Sequence, residues 1–377
     1  MAGTSTEARP AHGNHYEIDS PQHAAAASHH LSRLGLAAPG LAMNSGRTAL
    51  IGMLIAVEVL IAGFAIWCLG GAGHLSAAGF SPHETDYDSK MTATIEAGET
   101  PHVVISDPES RVYVNVSPDG KVHVLDRTRV HGFNFSSDRD VPKLNATRTA
   151  DGVLVERADY NDNWMHFTIG ESFQNIEVDV PSGSRVEIQR SSGATVSGLR
   201  AGITARSQDG HISLSDVQGP VDARSDDGYV FASNVRGDTV ALQSSDGHIE
   251  LRDVTAQSLT ANTRDGRIYG SDLTIAGGAQ PRATLHTDDG SMRVAGTFAP
   301  SGSYEVSTND GRVELGFGPS ADLTVTASTG DGSISVDGKS TGDDDSHHQT
   351  IKLGTGSGNM RVSSGDGSIH LSTNGAF

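Results

Sequence analysis

The sequence predicts an all-β protein, built mainly as a parallel β-solenoid (β-helix) of the right-handed type with coils of about 20 residues. A step that ends in Asp-Gly recurs eight times, and its glycines follow one another after 18, 19, 19, 24, 21, 21 and 35 residues. Apolar and polar residues alternate on both sides of each step, and aromatic residues make up only 5% of the chain. A nearly fixed period of this length is typical of a repeat array, in which each unit buries its apolar stripe on the next.

Each repeat is predicted to be a strand, an Asp-Gly corner and a second strand. In the third copy, Val240 and Leu242 alternate with polar neighbours before the corner, and Ile249 and Leu251 do so after it. A period of two places these four side chains on one buried face. We expect the glycine of each pair to adopt φ > 0 and the aspartate to bond the nearby backbone. The eight structural turn pairs are Asp209-Gly210, Asp227-Gly228, Asp246-Gly247, Asp265-Gly266, Asp289-Gly290, Asp310-Gly311, Asp331-Gly332 and Asp366-Gly367.

The same residues are compatible with two strand arrangements. In a solenoid, near-equal repeats stack in register, each coil on the next. In an antiparallel array, each Asp-Gly pair closes a two-residue hairpin instead. We favour the solenoid because in-register stacking of near-equal units is the simpler packing.

The N-terminal part of the chain is organised differently. Residues 1–46 are rich in Ala, His, Gly, Ser and Pro, which predicts a disordered cytoplasmic tail. Residues 47–70 are mostly apolar and long enough for a single transmembrane helix that serves as a signal anchor. Arg33 and Arg47 precede this span and the next basic residue is Lys90, so the positive-inside rule places the C-terminal part outside the cytoplasm.

Three further segments follow the predicted span. Residues 71–90 contain Gly, Ser, Pro and acidic residues and are predicted to be a linker. Residues 91–190 alternate with period two but lack a regular repeat, which predicts either a small all-β domain or the N-terminal cap of the solenoid, and residues 191–377 hold the repeats. Glu58 lies within the span, where a carboxylate is costly. It indicates a signalling site, or a homo-oligomer formed by pairing of spanning helices, or a protonated carboxyl group that a single helix tolerates.

The composition and the motifs argue against several classes of function. The formal net charge is −19, which argues against nucleic acid as a partner. The sequence has no phosphate-binding loop, nucleophile elbow or His-Glu-x-x-His motif, so we expect no enzyme activity and no cofactor. The least favoured hypothesis, a polysaccharide-cleaving β-helix, would use side chains next to the corners: Arg206, Arg224, Arg264, His286, Asp226, Asp227, Asp288 and Asp289.

The repeated corner aspartates raise the question of calcium. Stacked coils lie about 4.8 Å apart, so a ladder of carboxylates either stays solvated or collects cations. Calcium-binding β-roll repeats are nonapeptides, about half the period of this chain. We therefore interpret the Asp-Gly pairs as turns and expect no metal site.

A family resemblance adds a setting to this fold. The run from Phe173 to Ile188, followed by Ser-Ser-Gly, Ser-Gln-Asp-Gly and Ser-Asp-Asp-Gly steps, resembles the bacterial putative-adhesin β-helix repeat family of unknown function. The resemblance covers roughly residues 100 to 375. It implies a β-helix on an envelope protein and no catalytic residue.

Together these features predict a protein of the bacterial inner (cytoplasmic) membrane whose periplasmic or extracellular solenoid is a structural or binding module. The expected partner is an envelope protein or a glycan. An envelope-stress sensor that signals across the membrane through Glu58 is the alternative.

Overall fold

The computed structural model of the chain describes residues 83–134, 143–157, 168–340 and 347–375. The chain divides into two compact units, residues 1–72 and 73–377, and all described residues belong to the second. They form 28 strands: β1 His83–Asp88, β2 Thr92–Ile95, β3 His102–Ser106, β4 Arg111–Val116, β5 Val122–Asp126, β6 Arg129–Asn134, β7 Leu144–Arg148, β8 Gly152–Arg157, β9 Thr168–Phe173, β10 Asn175–Val180, β11 Arg185–Arg190, β12 Gly193–Ser197, β13 Ile203–Ser207, β14 Ile212–Ser215, β15 Val221–Ser225, β16 Val230–Ser244, β17 Ile249–Thr263, β18 Ile268–Ile275, β19 Arg282–Thr287, β20 Met292–Phe298, β21 Ser303–Thr308, β22 Val313–Phe317, β23 Leu323–Thr329, β24 Ile334–Val336, β25 Lys339–Ser340, β26 His348–Lys352, β27 Gly358–Ser364 and β28 Ile369–Ser372.

The ranges that the structure describes contain no helix with the length and hydrophobicity of a membrane span. The predicted tail, residues 1–46, and the predicted span, residues 47–70 with Glu58, lie outside those ranges. The predicted linker is described only from residue 83, where β1 pairs antiparallel with β6. The sequence of β1, His-Glu-Thr-Asp-Tyr-Asp, has no apolar alternation, so its pairing could not be read from the sequence.

The repeats form two parallel sheets, because each coil gives one strand to each sheet. The sheet of strands that precede the corners is called the first sheet. Its order is β8, β3, β11, β13, β15, the second half of β16, the second half of β17, β19, β21, β27, β23. The second sheet holds the strands that follow the corners, in the order β10, β4, β12, β14, the first half of β16, the first half of β17, β18, β20, β22, β28, β24.

The fold is therefore all-β and solenoid-like, and the antiparallel hairpin array is wrong for the repeat strands. One continuous core of mainly Val, Ile, Leu and Ala side chains fills the interior, as the alternation predicts. For example, β15 and β23 have burial that alternates along the strand, so each presents one face to the core and one to solvent. The right-handed winding stays a prediction.

The strands β16 and β17 run through a second bend, between the second sheet and the first. Asn234 (φ 51°) and Asp253 (φ 48°) form this bend, and Asp216 (φ 54°) and Asp272 (φ 55°) occupy the same place in the neighbouring coils. Asn and Asp tolerate the left-handed region better than other side chains, which explains their recurrence there.

The C-terminal coil stacks out of chain order. β27 lies between β21 and β23, and β28 lies between β22 and β24, so residues 358–372 are inserted between coils 303–317 and 323–336. The expectation that each coil stacks on the next is therefore wrong here. The 35-residue step between Gly332 and Gly367 contains β25 and β26. These two strands pair antiparallel with β24 and β23 and cover the outermost coil.

The N-terminal end shows the same insertion. β3 lies between β8 and β11, and β4 lies between β10 and β12. Residues 102–116 thus form a coil within the stack. The antiparallel strands β7 and β5 cover the outermost strands β8 and β10. Covering a sheet edge in this way limits uncontrolled pairing with other chains.

Two carboxylates of the outermost coil hold the inserted coil at both of its ends. Asp322 accepts hydrogen bonds from the backbone N–H groups of Gly356 (2.6 Å) and Ser357 (3.2 Å) and from the Thr355 hydroxyl (2.9 Å). Asp337 accepts bonds from the backbone N–H (2.8 Å) and the hydroxyl (2.7 Å) of Thr373. The insertion is therefore fixed by contacts at its entry and its exit.

These contacts predict a pH dependence at Asp322. Desolvation raises its pKa, but the hydrogen bonds from Ser357, Thr355 and Gly356 outweigh that effect and lower the pKa to about 2. A lowered pKa stabilises the folded state above the pKa of the unfolded chain, near 4, and the contribution is lost as the pH falls toward 2. We expect the melting temperature of Asp322→Ala to lie below that of the parent at pH 7 and to converge with it below about pH 2. A difference in melting temperature that stays constant from pH 7 to pH 2 would contradict this role.

Candidate functional site

All eight predicted Asp-Gly pairs lie at corners between a first-sheet strand and a second-sheet strand. Their aspartate side chains are exposed. The glycines do not adopt the expected positive φ, which occurs instead at the second bend. The reason for glycine is close packing, since a Cβ on Gly247 would lie 2.2 Å from the carbonyl oxygen of Gly228 and 2.7 Å from the Ser244 hydroxyl.

A column of buried hydroxyls runs beside these glycines and was missed in the sequence, although the signal is present in all eight repeats. Each repeat has Ser or Thr three residues before the glycine: Ser207, Ser225, Ser244, Thr263, Thr287, Thr308, Thr329 and Ser364. The Ser244 hydroxyl accepts a bond from the Gly247 N–H (2.9 Å) and donates one to the carbonyl of Gly228 in the adjacent coil (2.9 Å). The column follows the order of the stacked coils, with the C-terminal coil inserted. The Ser364 hydroxyl donates to the carbonyl of Gly311, and the Thr329 hydroxyl donates to the carbonyl of Gly367.

The hydroxyl column ends at a buried ionic cluster in the N-terminal cap. Arg157 is 3% exposed and donates to Asp107 (2.6 Å), Asp126 (2.9 Å) and the Thr128 hydroxyl (2.9 Å). The strand register places Arg157 beside Asp107. Asp107 occupies the position that Ser or Thr has in the repeats, and its carboxylate accepts a hydrogen bond from the backbone N–H of Ser110. Desolvation lowers the pKa of Arg157, but the bond to Asp107 and the two carboxylate charges raise it overall.

The carboxylates of the corner aspartates have the chemistry of calcium ligands. Among the described residues, no three His, Cys, Asp or Glu side chains lie close enough together to hold a metal ion. One corner aspartate, Asp246, instead has Arg264 of the next coil 3.6 Å away. An exposed ladder of this kind is expected to respond to cations through screening.

We therefore expect calcium to change the melting temperature no more than magnesium or sodium chloride of equal ionic strength does. Specific binding would require six to eight oxygen ligands per ion and would raise the melting temperature with calcium concentration. The measurement is thermal unfolding of residues 73–377 in the three salts. A large rise specific to calcium that Asp246→Asn together with Asp265→Asn abolishes would show that these aspartates are calcium ligands and would contradict this expectation.

The outward face of the first sheet brings some of the predicted groove residues together. Arg224 bonds Asp222 (3.0 Å) and Arg206 lies 3.8 Å from the same carboxylate. Beside them is an open depression of about 410 Å³, bordered by Arg185, Thr204, Asp222 and Arg224. Asp226 and Asp227 lie at the corner that follows β15, beyond this depression, and Arg264 pairs elsewhere with Asp246.

His286 belongs to a different constellation on the same sheet. Its Nδ1 lies 2.9 Å from the Ser307 hydroxyl and its Nε2 lies 3.2 Å from Asp288, so hydroxyl, imidazole and carboxylate form a line. Acyl transfer also needs free donors for an oxyanion. The backbone around Ser307 is paired on one side with β19 and on the other with β27, which uses its N–H groups. The described contacts make this line a hydrogen-bond chain on the outward face of the first sheet, and Asp289 does not enter it.

The outward face of the second sheet carries the surface that we call the aromatic face, defined by Tyr229, Phe231, Tyr269, Arg252 and Arg293. Tyr229 and Tyr269 are 42% and 41% exposed, among the most exposed large apolar side chains of the described residues. The guanidinium of Arg252 lies 5.4 Å from the centre of the Phe231 ring. This face has no signature in the sequence, because its aromatic residues are spread over coils that only stacking brings together.

Two Arg–Glu pairs orient the polar groups of the aromatic face. Arg252 Nε donates to Glu250 (2.7 Å), and Arg293 Nε donates to Glu314 (2.5 Å), which raises the pKa of Arg293. These pairs hold planar guanidinium groups beside the rings. The face thus combines flat apolar surfaces with hydrogen-bond donors and acceptors in fixed positions.

Histidines border the aromatic face on its corner side. His211 packs on Tyr229 with ring centres 4.0 Å apart, and its Nδ1 accepts the backbone N–H of Tyr229 (3.1 Å). In the same way His248 Nδ1 accepts the N–H of Arg267 (3.0 Å). An accepting Nδ1 means that the proton of each neutral ring is on Nε2.

Comparisons with known proteins identify the family. No curated protein matches the chain. Three solved structures are similar: a "Putative lipid binding protein" from Parabacteroides distasonis ATCC 8503 (11% identity, 75% of this chain and 96% of that one, TM-score 0.39), a "putative adhesin" from Bacteroides fragilis NCTC 9343 (13%, 75% and 98%, 0.31) and a "putative cell adhesion protein" from Clostridium sporogenes ATCC 15579 (8%, 78% and 99%, 0.19). The family model described as Toastrack DUF4097 matches residues 142–372, more than half of the sequence. The chain therefore belongs to the Toastrack DUF4097 family, as the resemblance of its repeats predicted.

Proposed function

We propose that the protein is a membrane-anchored envelope protein whose extracytoplasmic solenoid binds a glycan on the aromatic face. The exposed rings of Tyr229 and Tyr269, with Arg–Glu pairs beside them, are the observation that carries this proposal. Sugar rings have apolar C–H faces and polar rims. A glycan is therefore matched by flat aromatic surfaces flanked by oriented hydrogen-bonding groups.

The spacing of the rings suits a chain-like ligand. Tyr229 directly precedes β16. Tyr269 lies on β18, two coils further along the second sheet. Two coil steps separate the rings by about 10 Å along the stack, and because Tyr269 shares its column with Phe231, Tyr229 is also offset by two residues, about 7 Å, along the strands. An extended oligosaccharide that lies along the stack would contact both rings and the Arg252–Glu250 pair between them.

The anchor in this proposal rests on the sequence. Residues 47–70 supply the apolar length for one spanning helix, and Arg33 and Arg47 favour a cytoplasmic N-terminus. The solenoid would then be periplasmic or extracellular, and Glu58 would pair spanning helices into a homo-oligomer. The proposal includes no enzyme activity and no cofactor.

The test is a glycan array probed with labelled residues 73–377, followed by titration of the glycans that bind. Tyr229→Ala together with Tyr269→Ala should weaken binding at least tenfold, about 1.4 kcal/mol. Phe173→Ala is the matched control, since Phe173 is an exposed aromatic residue (55%) outside the aromatic face. Binding that is unchanged in the double variant, or no binding to any glycan on the array, would contradict the proposal. Binding to an envelope protein instead would favour the alternative in which the partner is a protein.

A further inference from the structure

We propose that the slot between coils 303–317 and 323–336 accepts the C-terminal coil of a second copy of this chain. Two copies would then join by exchanging residues 358–372. This inference is independent of glycan binding, since it uses neither the aromatic face nor its ligand. It rests on the out-of-order position of the C-terminal coil.

The inserted coil pairs with strands that lie earlier in the chain. β27 pairs with β21 from Ser303↔Asn359 to Thr308↔Ser364, and with β23 on its other side. β28 pairs in the same way with β22 and β24. A coil supplied by a second copy would form all of these pairs, because none of them involves the segment that connects β26 to β27.

The side chains of the inserted coil favour occupancy of some slot over release into water. Met360, Val362 and Ile369 are fully buried and Leu371 is 2% exposed. A released coil would expose these four side chains and open the core of the slot at the same time. The free energy of apolar burial therefore drives a released coil into an equivalent slot, its own or that of a neighbour.

A short connection before the inserted coil provides the hinge. Gly354 (φ 60°) and Gly356 (φ 75°) turn the chain from β26 into β27. The Asp322 carboxylate holds this turn closed through Thr355, Gly356 and Ser357. Changes in a hinge loop are a known route to exchange of an element between protomers. Removal of the Asp322 carboxylate should therefore increase exchange.

The test uses cysteines that can react only when coils from two chains lie side by side. Cys68, the only cysteine of the sequence, is first replaced by serine in the full chain. One tagged chain carries Ser307→Cys and a second, differently tagged chain carries Ser363→Cys, because these residues are register partners on β21 and β27. Neighbouring strands bring the Cα atoms to about 4.8 Å, within disulfide range.

The two chains are co-expressed and analysed for a mixed disulfide dimer under non-reducing conditions. We expect the dimer to form, and to increase at least threefold when both chains carry Asp322→Ala. The control pairs Ser307→Cys with Ser258→Cys, an equally half-buried serine on the first sheet that faces β19 rather than β27. No mixed dimer from the Ser307 and Ser363 pair, or an equal yield from the control pair, would overturn the proposal, whether or not Asp322→Ala folds.

Discussion

Replacing Arg157 with methionine is expected to destabilise the protein by about 3–5 kcal/mol, because it leaves buried carboxylates without their cation. Asp107 is fully buried and Asp126 is 1% exposed, and both accept hydrogen bonds from this guanidinium. Methionine fills much of the arginine volume, so the loss reports the charge rather than a cavity. Urea unfolding of the parent and of Arg157→Met measures the difference in the free energy of unfolding.

A matched control is Arg127→Met. Arg127 pairs with Glu177 at 2.9 Å, but the two side chains are 56% and 35% exposed. Exposed pairs of this kind contribute about 1 kcal/mol or less, so Arg127→Met should change stability little. Equal losses for the two variants would show that the buried cluster is not a determinant of the N-terminal cap.

Adding one methyl group at a corner, in Gly247→Ala, is expected to cost about 3 kcal/mol or more. The new Cβ would lie 2.2 Å from the Gly228 carbonyl oxygen, which belongs to the adjacent coil and cannot rotate away. The coils would have to separate locally, and the bond from Ser244 to Gly228 would be strained or lost. Overpacking of a tightly packed interior typically costs 1–3 kcal/mol, and backbone contacts leave less room to relax.

Gly318→Ala separates this packing effect from the general effect of losing a glycine. A Cβ at Gly318 would lie 3.3 Å from the Thr297 hydroxyl and 3.9 Å from the nearest backbone atom. We expect a change of about 1 kcal/mol or less, measured by the same urea unfolding. A mild effect of Gly247→Ala, comparable to that of Gly318→Ala, would restore the turn interpretation of the corner glycines.

Much of the fold could be predicted because its determinants are local. Alternation around Ile249 sets the buried face of a strand, and the recurring Asp-Gly pairs mark the corners. The role of Gly247 could not be predicted in the same way. Its neighbour Gly228 is 19 residues away, and only stacking shows that the two backbones touch.

The order of the coils is beyond sequence patterns for a related reason. Every coil presents similar columns, so the sequence pattern does not tell whether residues 323–336 or residues 358–372 lie on coil 303–317. The choice depends on contacts that involve single residues, such as Asp322 with Ser357. The ionic cluster is similarly hidden, because 50 residues separate Asp107 from Arg157.

The candidate site was predicted least well. Sequence reasoning chose charged residues beside the corners, and the structure brings Arg206 and Arg224 together at Asp222 but leaves His286 elsewhere. Tyr229 and Tyr269 gave no motif, since 40 residues separate them. Only the register of the second sheet places them on one face.

Disulfide formation within one chain tests the central claim, the insertion of the C-terminal coil, most directly. Ser307, Ser363 and Ser328 occupy one column on β21, β27 and β23. In a background with Cys68→Ser, the pair Ser307→Cys and Ser363→Cys should oxidise readily, because neighbouring strands lie about 4.8 Å apart. The pair Ser307→Cys and Ser328→Cys should not, because two coil steps exceed the roughly 7 Å limit between Cα atoms. Oxidation of the second pair instead of the first would show that the coils stack in chain order and would contradict the insertion.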